Sequence, residues 1–338
     1  MKQTVLIVGK FYIEGFGLHI EQTLQDMGHQ TLRFDPFPDV SLWPFRKASQ
    51  VIFQVYQKSP AFAKWQMAQL QKIADDNAIT LVIACHDFLT PAQIEFLKKK
   101  TRAKISLWFP DAVSNFGKAM FLVAGYDAIF LKDSLVATRL KQELGLPAYY
   151  LPECCNPKRH KPVDLTDDDV KRFGCEISTA GNMHAARMAV AQHLAEYDVK
   201  IWGHAPPFWS INERVNRMAQ NYFVADDEKS KSFLASKIVL NSIHPTEFSG
   251  VNVRTFEIAA VGAFQLTTFR ADMPLLFEPN KEIVLHHSLS ELKDQIKFYL
   301  ANPELRLQIA TAARTRAVAE HTYEKRLDTI ISCLLTIG

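Results

Sequence analysis

Short, continuous apolar runs separated by amphipathic stretches constrain this chain more than any other feature. VLIVG (5–9), QTLRFD (30–35), TLVIACHD (80–87), KISLWF (104–109), DAIFLK (127–132) and YYLPE (149–153) have strand lengths. Such near-unbroken hydrophobicity suits strands buried on both faces. Residues 17–27, 61–77, 91–100 and 133–144 carry helical periodicity between them. Strand, crossover helix, strand is the pattern of a parallel sheet with helices on both sides.

The pattern stops at LPECCNPKRHKPVDLTDDD (151–169), which has no periodicity, and then restarts. Strands are expected at 176–182, 199–203, 237–243, 263–268 and 282–287, and helices near 185–195, 227–236, 252–261, 289–301, 303–319 and 322–335. The reading is an α/β chain of two Rossmann-like domains, residues 1–155 and 176–321, joined by a linker at 156–175. Two such domains in series leave a cleft at the carboxyl ends of their strands.

Composition excludes several classes. With 338 residues, 48% hydrophobic and 22% charged, the chain is globular, and a net charge of +3 does not announce nucleic acid. Five cysteines without C-x-x-C or histidine pairing form neither a disulfide framework nor a zinc site. No run of 18 apolar residues is present and the N-terminal run is too short for a signal peptide, so a cytoplasmic protein is expected. Residues 41–66 interleave Trp43, Phe45, Phe53, Tyr56, Phe62 and Trp65 with basic residues. They read either as core aromatics or as a peripheral contact with the inner face of a membrane.

Five places could carry chemistry. Glu257 lies inside the apolar run NVRTFEIAAVG, where an unbound carboxylate is costly; it either pairs with Arg254 or binds a ligand such as ribose hydroxyls. The helix start just before it, with Ser249, Gly250, Asn252, Arg254 and Thr255, is a candidate anion site. Gly181 and Asn182 end a strand, and Arg187 follows where a guanidinium could reach a phosphate or simply be solvated. Gly15 and Gly17 follow the first strand but lack the third glycine of the dinucleotide fingerprint. His86 and Asp87 stand past a strand end, as does Asp111; they could activate an acceptor, with Glu14 and His19 behind them, or the aspartates could cap helices.

Taken in order, ISTAGNMHAAR (177–187), KIVLNSI (237–243), NVRTFEIAAVGAFQLT (252–267), LFEPNKEIVLHHSLSELKDQIKFYLANPELR (276–306) and HTYEKR (321–326) resemble the CgeB-like branch of the group 1 glycosyltransferases. WFPD (108–111), YDAIFLKD (126–133) and YYLPECCNPKRHKP (149–162) match more loosely. The resemblance implies the GT-B fold, with the helix of 322–338 crossing back to the first domain. It makes Glu257 the ribose-binding glutamate and puts Arg187 where a phosphate-binding lysine is common. Asn182 stands where many members carry an arginine, and Gly15 to Gly17 would close over the donor sugar. Members with E-x7-E have a sugar-contacting glutamate where this chain has Ser249, its nearest acid being Glu247.

The function implied is transfer of a sugar from a nucleotide-diphosphate sugar to an unidentified acceptor, without a metal or other cofactor and favouring retention of configuration. A nucleotide-sugar 2-epimerase on the same fold and a non-catalytic nucleotide-sugar-binding or assembly protein are the alternatives, and a nucleic-acid partner is not expected.

Overall fold

The computed structural model describes residues 2–37, 52–53, 55–205 and 212–337. The first sheet contains β1 (Thr4–Val8), β2 (Gln30–Phe34), β3 (Leu81–Ala84), β4 (Lys104–Phe109), β5 (Ala128–Leu131) and β6 (Ala148–Tyr150), in the order β2-β1-β3-β4-β5-β6. The second contains β7 (Cys175–Ala180), β8 (Val199–Trp202), β9 (Ser236–Asn241), β10 (Gln265–Thr268) and β11 (Val284–His286), in the order β11-β10-β9-β7-β8. Adjacent strands are parallel throughout. Every strand run expected from the sequence is present.

The burial pattern explains the runs. Val5, Leu6, Ile7 and Val8 are all inaccessible, and because side chains alternate along a strand they feed two cores. Leu6 and Val8 pack with Leu70, Leu97 and Leu107 on one face, Val5 and Ile7 with Ile20, Leu24 and Trp108 on the other. That second core is completed from far along the chain. Helix Tyr323–Thr336, capped by Thr322, brings in Tyr323, Leu327, Ile330 and Leu334 at three- and four-residue spacing. The C-terminal helix therefore crosses back to the first domain. Where it leaves, the Cys155 and His321–Tyr323 backbones pair, with Cys155 N–H donating to the His321 carbonyl at 2.9 Å and Tyr323 N–H to the Cys155 carbonyl at 3.1 Å.

The aperiodic stretch holds one element the sequence reading missed, the helix Asp167–Phe173. Thr166 and Asp169 close a reciprocal capping box, so the acidic run is a helix start rather than part of an extended linker. Of the aromatic stretch 41–66, residues 41–51 and 54 lie outside the described residues. Phe53 and Tyr56 meet buried Phe62 edge-on and Trp65 stacks on it, so these aromatics pack together. Among the described residues, no helix is long and apolar enough to cross a membrane.

In both sheets the first strand lies between the second and third, so neighbouring connections leave β1 and β7 on opposite faces. That is the topological switch point, where open α/β sheets bind ligands.

Candidate active site

At the second switch point, β7 ends at Ala180 and turns through Gly181, whose φ of 119° favours glycine. Helix Ala185–Ala191 follows, capped by His184, with Arg187 in its first turn. Across from it, helix Arg254–Val261 begins with Arg254. Both guanidinium groups reach the Gly181 turn: Arg254 Nη1 donates to the Ala180 carbonyl at 2.8 Å and Arg187 Nη1 to the Asn182 carbonyl. A Cβ on Gly181 would displace Arg254 Nη1 and stand 3.3 Å from Arg187 Nη1, and the positive φ strains any other residue there.

Arg187 is buried and Arg254 half-buried, and neither has a carboxylate in contact. Among the described residues neither forms an ion pair, and the Nε atoms of both lack hydrogen-bond partners. Burial, then the Arg254 charge, drives the Arg187 pKa well below its ordinary value. Burial also lowers that of Arg254, against the pull of Glu257 and Glu153. Neighbouring His184 is pushed down to about 4 by burial, then by Arg187, His244 and Arg254. A buried uncompensated charge costs several kcal/mol. The arrangement calls for an anion carrying about two charges, with guanidinium forks matched to phosphate.

Glu257, one turn beyond Arg254, shares its helix face and is 5% exposed. Its partner is not Arg254. The carboxylate lies 2.8 Å from Lys229 Nζ and 3.5 Å from His160 Nε2, both missed in the sequence. Lys229 sits in DDEKSKSF, which reads as a solvated helix, and His160 in the aperiodic stretch. Lys229 also reaches Glu14 at 2.6 Å, and Glu14 accepts the Asp226 N–H at 3.0 Å. Burial pushes the Glu14 carboxyl up, but hydrogen bonds to His160 and Lys229 and the Lys229 charge hold it well below the usual range. Glu257 is held low against burial by Lys229 and His160.

Glu14, His19 and His160 place possible metal ligands within 4.8 Å of one another. Their hydrogen bonding argues against that use. His160 Nδ1 accepts the Asn156 N–H at 3.0 Å, and His19 Nδ1 lies 3.3 Å from the Asn156 side-chain nitrogen. Each Nε2 then carries the proton and faces the cluster as a donor, whereas a metal needs its lone pair.

The other candidates divide. Asn252 exchanges side-chain hydrogen bonds with Asn241, which also donates to Thr255, so both residues fasten the helix start to β9. Ser249 and Gly250 donate their N–H groups to Asp133 of the first domain at 2.7 and 2.9 Å, and a Cβ on Gly250 would lie 2.6 Å from the Lys132 carbonyl. This is a carboxylate docked on the loop from across the cleft. Ser249, in the slot of the first E-x7-E glutamate, also gives its hydroxyl to Asp133. Glu247 pairs with Lys132 at 2.7 Å. Gly15 and Gly17 serve the loop's own folding: a Cβ on either would stand 2.6–2.7 Å from the Tyr12 or Lys10 carbonyl. His86 Nε2 lies 3.3 Å from Asp111, while Asp87 accepts the Met120 N–H at 2.6 Å and caps no helix. His19 stacks on Tyr323 and Glu14 faces Glu257's cluster, so neither joins the His86 pair.

A cavity of about 520 Å³ opens between these groups. Tyr12, Ile13 and Glu14 line it from the first domain, and Gly181, Asn182, Lys229, Arg254 and Glu257 from the second, with His204 and Phe223 stacked at 5.3 Å.

The glycosyl transferase-like family pattern matches residues 185–332, the segment that carries Arg187, Arg254 and Glu257. The spore protein CgeB of Bacillus subtilis (strain 168) is 29% identical over 264 residues, spanning 71% of this chain and 76% of that protein. Residues 185–332 thus carry a glycosyl transferase-like domain, in a chain similar to CgeB. Sucrose-phosphate synthase from Thermosynechococcus elongatus superposes on this chain with a TM-score of 0.71 at 11% identity, over 100% of both chains. Anabaena Alr3699/HepE in complex with UDP-glucose does so with a TM-score of 0.68 at 12% identity, over 99% of this chain and 100% of that one. The fold is GT-B.

Proposed function

We propose that this CgeB-like protein transfers a sugar from a nucleoside-diphosphate donor held on its second domain to an acceptor presented by the first. The observation that carries the reading is the pair of arginines at the Gly181 turn, one buried and one half-buried, neither in an ion pair and each with its Nε unpartnered. A diphosphate there neutralises both and takes up the charge that develops on the leaving group, the term that usually dominates such catalysis. Glu257 one turn further on accepts from ribose hydroxyls, and the stacked His204–Phe223 pair offers a flat face to the base. HepE holds UDP-glucose on the same fold, which makes uridine diphosphate the first probe.

The two guanidinium groups supply the cationic charge a metal would bring, so donor binding is metal-independent. Retention of configuration is favoured because the leaving diphosphate, held by fixed arginines, can itself assist the incoming hydroxyl. His86, oriented by Asp111, is the base an inverting reaction would use.

Calorimetric titration with UDP, GDP, ADP and CDP tests the proposal. One of them binds in EDTA, and Arg187→Ala weakens it at least about tenfold, the worth of a lost charge-assisted contact. Absence of binding by all four at millimolar concentration would overturn the donor site.

A further inference from the structure

The geometry points to a ribose grip shared between the domains, in which Glu14 of the first domain is a second carboxylate reading the sugar hydroxyls alongside Glu257, so that the donors are ribonucleotides rather than deoxyribonucleotides. This rests on the donor reading above and names the class of donor.

Glu14 and Glu257 line one cavity from opposite sides of the cleft. Lys229 lies between them, 2.6 Å from one and 2.8 Å from the other. His160 Nε2 stands 3.9 Å from Glu14 and 3.5 Å from Glu257. Two carboxylates offer about eight lone-pair positions in all, and one ammonium, one imidazole N–H and the Asp226 N–H do not fill them. The buried surplus is of acceptors, and both carboxyls stay ionised in the fold. A vicinal diol is the complementary ligand, because it brings two O–H donors without adding charge. The diol belongs here because Glu257 stands one helical turn beyond Arg254, which itself bonds the Gly181 turn, and both line the same cavity.

The backbone supports the assignment. Glu14 is held at φ 63°, in the left-handed region that glycine or asparagine enters more cheaply. Asp226, whose N–H holds the Glu14 carboxylate, is also left-handed at φ 48°. Strain of this kind persists where surrounding contacts fix it and concentrates at ligand clamps.

The test is a matrix of dissociation constants by calorimetry: the best-binding ribonucleoside diphosphate with its 2′-deoxy and 3′-deoxy forms, against wild type, Glu14→Gln and Arg187→Lys. Wild type should prefer the ribonucleotide about tenfold or more over at least one deoxy form. Glu14→Gln, which keeps the side chain's shape, should weaken the ribonucleotide and bring that ratio towards one. Arg187→Lys should weaken all three ligands alike and leave the ratio unchanged. If Glu14→Gln retains the wild-type ratio, or wild type ignores both deoxy substitutions, the shared grip is wrong while the donor site stands on the Arg187 result. If Glu14→Gln melts at a markedly lower temperature, the wild-type ratios alone decide. Failure of every nucleotide to bind wild type removes both readings.

Discussion

The two sheets share one strand order and one switch-point geometry, yet they treat their polar strand ends in opposite ways. In the first domain each charge past the strands has a partner: His86 meets Asp111, Asp87 takes the Met120 N–H, and Glu14 and Asp133 reach Lys229 and the Ser249–Gly250 backbone, although His86 Nδ1 and Asp87 Oδ1 are left without hydrogen bonds. In the second domain Arg187 and Arg254 end beside Gly181 with nitrogen donors unused. Topology alone offers two equivalent sites. Unspent charge favours the second as the donor site we propose, because leaving a buried cation without a partner is costly and an anionic ligand would remove that cost.

The sharpest way to break this contrast is to remove the second domain's cations. Arg187→Met with Arg254→Met should weaken nucleoside diphosphate binding about a hundredfold or more, as two charge-assisted contacts are lost. The ligand-free protein should become more stable in urea by about 1 kcal/mol or more, since like charges leave an apolar place. A double variant that is less stable than wild type would mean the arginines are structural members of the fold.

A second effect comes from acid. His19 of the first domain, His286 of the second and His321 at the crossing are each pushed down to about 4, chiefly by burial. Their folded values lie below the unfolded value near 6.5, so their neutral forms stabilise the fold above that pH and the contribution is lost as pH falls towards 4. The slope is at most about 1.4 kcal/mol per pH unit for each histidine. Urea midpoints at pH 7.5, 6 and 5 should fall in that order. Equal midpoints would show that these rings are already open to water.

The smallest effect tests the other half of the contrast. His86→Ala should change the nucleotide dissociation constant by less than about twofold, because His86 touches no group of the donor cavity. A larger loss would put the first domain's strand ends into donor binding and undo the distinction between the two switch points.

Much of the fold was legible because buried parallel strands write continuous apolar runs, and all eleven expected strands form. Helix Asp167–Phe173 was not, since its signal is the Thr166–Asp169 box inside a segment that otherwise lacks periodicity. For the site, Glu257 betrayed itself as a carboxylate among apolar neighbours, and Arg187 as a guanidinium after a glycine turn. Arg254 was read both as a possible partner of Glu257 and as part of an anion-binding helix start, and only three dimensions show it bonded to the Gly181 turn. Lys229 and His160 could not be found from the sequence, because charged residues in a polar helix or a loop look the same whether they face water or another domain.

The helix that crosses back also sets an order of events during synthesis. Val5, Ile7 and Trp108 emerge early, yet the side chains that cover them, Leu327, Ile330 and Leu334, are made only after the whole second domain. A nascent first domain must wait with one face of its sheet covered only in part, by Ile20 and Leu24, a situation that favours aggregation and chaperone capture. A ribosome that stalls before residue 323 would release a polypeptide whose second domain can form its sheet while the first keeps part of an apolar face bare.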